Sequence, residues 1–477
     1  MTISRVLIAN RGEIAVRIIK ACQSLGIEAI AVVSEADRES LPAKMANRAV
    51  CIGPARSSES YLRIDTLICA ALGTGSDAIH PGYGFLAEQP ELAEACRDHG
   101  LIFIGPPPEA LRQMGNKILA RQRVNNYGIP VIPGSEKVKD LQQARRVAQK
   151  MGFPLIFKAA AGGGGRGMKI VHHPDELKTA FETAAAEARS AFGDETIYVE
   201  RYILNARHIE VQIMADHFGN VIHLGERDCS SQRRYQKIVE EAPAPSLPSE
   251  LREKIRAMGA SIAKEMNYVN AGTVEFILDQ DSGQFYFLEM NTRIQVEHPV
   301  TEMISGVDLV SEQIRIAARH PLSLSQPQVQ LTGHAIECRI NAESPEAGFQ
   351  PCPGRITQWI PPQGPAIRVD THCYAGYVVP PYYDSLIAKL ITVGSNRSEA
   401  LKRMKHALRH FIVSGVETTI PFLQFLLEDS NYIKGTLNTR WVEERMKRFS
   451  KSQKSTTRSA RGKPHSVVRK KRLRGLG

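Results

Sequence analysis

The chain has 477 residues, 43% of them apolar and 23% charged, with a formal net charge of +11. That length accommodates roughly two to four packed units of ordinary soluble composition. Residues 447–477 hold 12 Lys/Arg and no acid, which leaves −1 on the first 446 and excludes a basic body. The tail, rich in Ser, Lys, Arg and Gly, reads as disordered. A solvated extension is the plainer reading of it, and an arm for nucleic acid or an acidic partner the alternative.

The opening residues MTISRVLIANRGE meet charge at Arg5 and contain no long apolar run. They read as neither a signal peptide nor a membrane span. Residues 5–33 read strand, helix, strand, with Gly26 as the helix stop, which makes a βαβ unit. Its turn, Ala9-Asn10-Arg11-Gly12-Glu13, lacks G-x-G-x-x-G, so dinucleotide binding is poorly supported. Strand and helix alternate to about residue 114, and the loop HPGYGF presents Tyr83 and then Glu88. Eight cysteines stand singly along the chain with no CxxC pair, as expected for reduced thiols in the cytoplasm.

A second unit, 115–330, opens with Lys117. Its strand FPLIFK ends at Lys158 and is followed by AAAGGGGRG and a second strand, MKIV. Glycines between two short strands suit a mobile lid, about 131–204, whose N–H groups close over phosphates. The loop is not a Walker A motif, because Gly165-Arg166-Gly167 stands where Gly-Lys-Ser/Thr belongs. Lys117 and Lys158 offer point charges to phosphates. In ERDCSSQRRYQKIVEEAPAP, Arg233, Arg234 and Lys237 could face an anion, although such charge runs are more often solvated loops.

The segment AGTVEFILDQDSGQFYFLEMN reads as a hairpin about Asp281-Ser282-Gly283, with Gly283 left-handed. In that register 280 faces 284, 278 faces 286 and Glu275 faces Glu289. Two carboxylates roughly 5 Å apart repel by roughly 3 kcal/mol at an effective dielectric of about 20. A cation removes the difficulty, and with the Asn291 amide oxygen the pair makes a hard site suited to Mg²⁺. Polar residues continue to alternate through Arg293, Gln295 and Glu297, but one strand from 285 to 297 is too long, so the chain should leave the sheet near Arg293. A third unit, 331–446, reads as α+β with short antiparallel strands and an amphipathic helix near 398–413.

In order, the strings IANRGEIAVRI, HPGYGFLAE, KAAAGGGGRGM, ERDCSSQRR, KIVEEAP, EMNTRIQVEHPVTE, ECRINAE and YAGYVVPPYYDSLIAKL resemble biotin carboxylase, the ATP-grasp component of biotin-dependent carboxylases, over about 1–446. The resemblance implies a multi-domain α/β and α+β fold. It has a Rossmann-like N-terminal domain, an ATP-grasp domain with the glycine lid and a C-terminal α+β domain. It implies that Lys117, Lys158, His208, Gly164 and Gly165 bind ATP phosphates, and that Glu200, Arg201, Tyr202 and Ile203 line the adenine pocket. Glu275, Glu289 and Asn291 would hold Mg²⁺ or Mn²⁺. Lys237, Arg293 and the Val296 backbone would bind bicarbonate, Glu297 would be the general base, and Arg339 would stabilise the biotin enolate. The chain departs from the family at Tyr235, where a histidine is common, at Asn47 and Arg48, and at Ala160 and Ala161 in the lid.

No Met-Lys pair stands in the setting of a biotin-bearing turn, and the 31 residues after 446 cannot build a carrier domain. The resemblance therefore implies a separate biotin carboxyl carrier protein and separate carboxyltransferase subunits. It also implies a homodimer without a membrane partner, and leaves the final acceptor open among acetyl-CoA, another acyl-CoA and pyruvate. Another ATP-grasp ligase, of the carbamoyl-phosphate or purine-pathway type, is the competing enzyme reading; it would lack the unit carrying Arg339.

Overall fold

A computed structural model describes residues 2–160 and 167–449. The N-terminal strands are parallel, in the order Arg48–Cys51, Glu28–Val33, Arg5–Ile8, Ala78–His80, Ile102–Phe103. The central strands are almost continuously apolar because helices cover both faces of a parallel sheet. Strand order reverses about Arg5–Ile8, so the loops after Ile8 and His80 meet at the crevice where doubly wound sheets present their ligand-facing residues. Asn10 Nδ2 ties the two loops by donating to the Pro81 and Tyr83 carbonyls, 2.7 Å each.

An antiparallel sheet of short strands, in the order Gly134–Val138, Ile197–Arg201, Leu155–Ala159, Lys169–Val171, packs against helices Leu141–Met151 and Leu177–Phe192. Its buried core, including Ala144, Phe157, Ala184 and Val199, is drawn only from residues 138–199. Gly164 and Gly165 lie outside the described residues.

An eight-stranded antiparallel sheet holds the rest together. Its order is Phe285–Asn291, Asn270–Asp279, Ala206–Ala215, Val221–Arg233, Gln236–Ala242, His334–Asn341, Leu386–Gly394, Ile367–Thr371. Gln236–Ala242 pairs with His334–Asn341, so the sheet runs through the boundary read from sequence at 330/331.

The hairpin keeps Glu275 opposite Glu289, but by a different route from the one expected. The turn closes with Asp279 N bonding to Gln284 O at 2.8 Å, one residue earlier than the sequence suggests. Leu278 therefore faces Phe285 instead of Tyr286. A bulge beyond Phe276–Phe287 inserts one residue and restores the 275–289 pair. The strand ends at Asn291, and residues 292–297 form a loop that enters helix His298–Ser305 directly after Glu297. The expected helix near 398–413 is Arg397–His410, capped by Asn396, whose side chain accepts from Glu399 N at 3.1 Å. Among the described residues no helix is long and apolar enough to cross a membrane. Packing extends past 446: the Phe449 ring lies 5.2 Å from Phe422 and 5.3 Å from Phe425.

Candidate active site

Antiparallel register aligns Glu289, Glu275, Glu210 and Arg227 in one row across four neighbouring strands. Opposed residues share a face, so three carboxylates are brought side by side and need cations. Arg227, fully buried, supplies the first. Its Nε donates to Glu210 at 2.5 Å, Nη1 to Gln212 at 2.7 Å and Thr301 at 3.0 Å, and Nη2 to Thr273 at 3.2 Å. A planar guanidinium with every arm engaged fixes Glu210 in place.

Lys237 is the second cation. Its ammonium lies 2.6 Å from Glu210, 2.9 Å from Glu275 and 2.6 Å from Glu297. Three donors meet three carboxylates, and although burial opposes its charge, the three acids hold Lys237 protonated. His208 Nε2 reaches the other Glu275 oxygen at 2.9 Å. Burial alone would favour neutral imidazole, but Glu275 raises the His208 pKa. Burial likewise opposes ionised Glu275 and Glu297, and the Lys237 charge beside both carries them below the ordinary carboxylate range.

Arg339 joins this cluster from strand His334–Asn341, the neighbour of the strand that carries Lys237. Its guanidinium donates to Glu240 at 2.6 Å and to Glu297 at 3.0 Å. Glu297 is thus completely buried between Lys237 and Arg339. Burial pushes Glu240 up to about 7 despite Arg339. Arg293 extends from the loop and is braced by Glu88 at 2.9 Å, Gln295 at 3.0 Å and Asn291 Oδ1 at 3.1 Å. Glu88 comes from the residues following the HPGYGF loop, which gives that N-terminal segment a part in the site.

The nucleotide-side residues form a second group. Lys117, at the start of helix Lys117–Asn126, pairs with Glu289 at 2.7 Å. Lys158 pairs with Glu200 at 2.5 Å, and Arg121 also contacts Glu200 closely. Glu200 thus faces cations as well as closing the lid strand. After it come exposed Arg201, Tyr202, edge-on to His172, and Ile203, packed with Ile132 and Tyr286.

Glu275, Glu289 and the Asn291 oxygen are hard donors of the kind Mg²⁺ takes, so the donor chemistry fits that ion. Lys117 and Lys237 offset the two carboxylates in this arrangement, and Asn291 Nδ2 donates to Glu275 at 2.9 Å. Among the described residues, the sets of three or more potential metal-binding side chains that converge are His208–Glu210–Glu275 and Glu210–Cys229–Glu297, and Glu289 is in neither. Its partner across the hairpin is Glu275 alone.

The family resemblance assigned roles to Lys237, Glu275, Glu297, His208, Arg293 and Arg339, which the structure places close together, and did not name Glu210, Arg227 or Glu240. The signal for Glu210 was available: His208, Glu210 and Gln212 alternate in ARHIEVQIMA as Glu289, Asn291 and Arg293 do. A cleft of about 120 Å³ opens at the N-terminal crevice, lined by Arg11, Glu13, Tyr83, Phe85 and Asp384.

Three families match in succession: Biotin carboxylase, N-terminal domain, over residues 2–111; Carbamoyl-phosphate synthase L chain, ATP binding domain, over 116–325; and Biotin carboxylase C-terminal domain over 337–444. A biotin carboxylase of Nostoc sp. is 54% identical over 445 residues, 93% of this chain and 99% of that protein. Biotin carboxylase 1 of Bacillus subtilis is 51% identical over 442 residues, 92% of this chain and 98% of that one. The structure resembles Campylobacter jejuni biotin carboxylase in its complex with β-γ-ATP, with a TM-score of 0.91 at 47% identity over 93% of this chain and 99% of that one. It matches equally, at TM-score 0.91 and 47% identity over 93% and 98% of the chains, the biotin carboxylase domain dimer of Hydrogenobacter thermophilus 2-oxoglutarate carboxylase with MgADP, ADP and bicarbonate. The chain belongs to the biotin carboxylase family, ATP-dependent ligases built on the ATP-grasp fold.

Proposed function

We propose that this chain uses ATP and bicarbonate to carboxylate biotin presented on a separate carrier protein, as one component of a multisubunit carboxylase. The observation that carries the reading is Glu297, buried between Lys237 and Arg339 at 2.6 and 3.0 Å. That geometry gives a carboxylate base flanked by two cations, each able to bind an anion or an enolate.

In the residue roles we propose, Lys237, Arg293 and the Val296 backbone hold bicarbonate beside Glu297. An incoming anion shares Lys237 with Glu297, which loosens the pairing that depresses the carboxylate pKa and raises its proton affinity. Glu297 then takes the bicarbonate proton while the oxygen attacks the γ-phosphate, giving carboxyphosphate and ADP. Lys117, Lys158, His208 and the lid glycines Gly164 and Gly165 hold the phosphates. Glu200, Arg201, Tyr202 and Ile203 flank the adenine at the lid edge. Glu275, Glu289 and Asn291 would hold Mg²⁺, which would supply charge neutralisation for the transferring phosphoryl group. Lid closure excludes water from carboxyphosphate. Carboxyphosphate then breaks its C–O bond to give CO₂ and phosphate, the phosphate takes the N1′ proton of biotin, and Arg339 stabilises the enolate whose N1′ attacks CO₂.

The partners we propose are a biotin carboxyl carrier protein, carboxyltransferase subunits and a second copy of this chain. The Hydrogenobacter structure named as a dimer supports the last of these. A relative in Methanothermobacter thermautotrophicus named as a pyruvate carboxylase component and the biotin carboxylase of Bacillus subtilis are each 51% identical to this chain. The acceptor is therefore set by the partner chains. Eight free cysteines suit a reducing compartment, and we propose the cytoplasm. Purified protein given Mg-ATP, bicarbonate and free biotin should release ADP in a biotin-dependent way; release that ignores biotin overturns this reading.

A further inference from the structure

Lys389 is completely buried, yet none of the roles above uses it. It stands on strand Leu386–Gly394 opposite Arg339 on one side and Asp370 on the other. Two cations directly opposed across strands repel unless acids are brought to them. The acids come from other units. Arg339 reaches Glu297, while Lys389 lies 3.0 Å from Glu13 Oε2 on the first N-terminal helix and 3.9 Å from Asp370. The Glu13 contact is an ion pair out of line for a hydrogen bond. The hydrogen bond of Lys389 goes instead to the Val296 carbonyl, at 2.9 Å.

Neighbours in one cross-strand row thus grip consecutive groups of the same loop: Lys389 holds the Val296 carbonyl and Arg339 the Glu297 carboxylate. On the other side Tyr83 donates to Glu13 Oε1 in a short contact, and both line the crevice cleft. A continuous chain, Tyr83–Glu13–Lys389–Val296, therefore crosses from the N-terminal unit through the C-terminal sheet to the loop bearing Glu297. A buried ion pair is a poor source of stability compared with apolar residues of the same volume, so stability alone does not account for it.

We propose that Lys389 is a positioning residue, which sets the Val296–Glu297 segment for bicarbonate and is itself anchored by Glu13 at the cleft; this rests on the bicarbonate site proposed above. The test is steady-state ADP release by the full chain with Mg-ATP and free biotin, varying bicarbonate and ATP separately. In Lys389→Met the KM for bicarbonate should rise roughly ten- to a hundredfold, the range expected for loss of one charge-assisted hydrogen bond, with the KM for ATP within about twofold. Lys389→Arg should recover most of the loss. The double variant Glu13→Gln/Lys389→Met removes both buried charges together, guards against misfolding, and should show the same split.

A folded variant whose bicarbonate KM stays within about twofold of wild type overturns the inference, as do equal rises in both KM values or no rescue by arginine. If Lys389→Met does not fold, the double and arginine variants decide by the same criteria. Normal wild-type turnover with unmoved variants sinks this inference alone. A wild-type protein without bicarbonate-dependent turnover sinks it together with the function it rests on.

Discussion

The eight-stranded sheet and the four-stranded lid sheet hold charge in opposite ways. In the large sheet, Arg227 and Lys237 are each bound to several partners, and Glu210 and Glu297 are wholly buried among them. In the lid the strands are three to five residues long, and the core is drawn from residues 138–199 alone. Its Lys158 and Glu200 meet at the edge facing the large sheet's helix Lys117–Asn126, through Arg121. A sheet whose charges are over-determined keeps its geometry through a reaction cycle. A body with its own small core is free to tilt without breaking that geometry, which is the property the proposed lid requires. The two sheets are built on separate hydrophobic cores.

The sharpest break in the comparison is Glu297→Ala. Turnover should fall about 10²- to 10⁴-fold, the usual span for a general base, while nucleotide binding measured by calorimetry changes only a few-fold. Next is Arg227→Met, which leaves Glu210 buried with one cation fewer. Loss of one partner of such a pair costs about 3–5 kcal/mol, so the denaturation midpoint should drop for the whole protein. Phe157→Leu in the core of the four-stranded sheet removes part of a fully buried ring and should cost less, about 1–2 kcal/mol. Its signature is regional: hydrogen exchange should quicken within residues 138–199 and not in strand Ala206–Ala215. Exchange that quickens equally in both sheets would show one core, not two.

The pH dependence of stability separates the buried acids. Glu275 and Glu297 have depressed folded pKa values, so their contribution is present above the unfolded carboxylate value and lost as pH falls below it. Glu240 has the opposite sign: its folded pKa is about 7, so ionising it costs stability as pH rises from the unfolded value through 7. Glu240→Gln should flatten that decline in a melting-temperature profile and leave the acid limb in place. The smallest effect is expected from trimming the chain after Phe449. Removing residues 450–477 should leave activity unchanged and stability within about 0.5 kcal/mol. Ending the chain at 446 also removes Phe449 from the ring cluster with Phe422 and Phe425, and should cost about 3 kcal/mol. The basic segment is thus better cut after 449 than at the boundary the charge run suggests.

Much of this site is legible in the order of residues because strands alternate. Period-two patterning puts His208, Glu210 and Gln212 on one face of their strand, the hairpin makes Glu275 and Glu289 candidates for a cross-strand pair, and local turn chemistry makes Gly283 left-handed, with a φ of 68°. Motif strings identify the family because they are local too. Tertiary structure decided what depends on which strands become neighbours. Glu275 meets Glu210 because Asn270–Asp279 pairs with a strand more than sixty residues away, and Arg339 meets Lys389 by a similarly distant pairing. The hairpin shows the limit at close range: its turn is one residue longer than the glycine suggests, and a bulge cancels the slip. Alternation fixes a side chain's face within its own strand, since that needs only the backbone pleat. Register and strand order are set by burial and backbone pairing across the whole sheet; they put the strands of Lys237 and Arg339 side by side, and the path of loop 292–297 brings Glu297 between them.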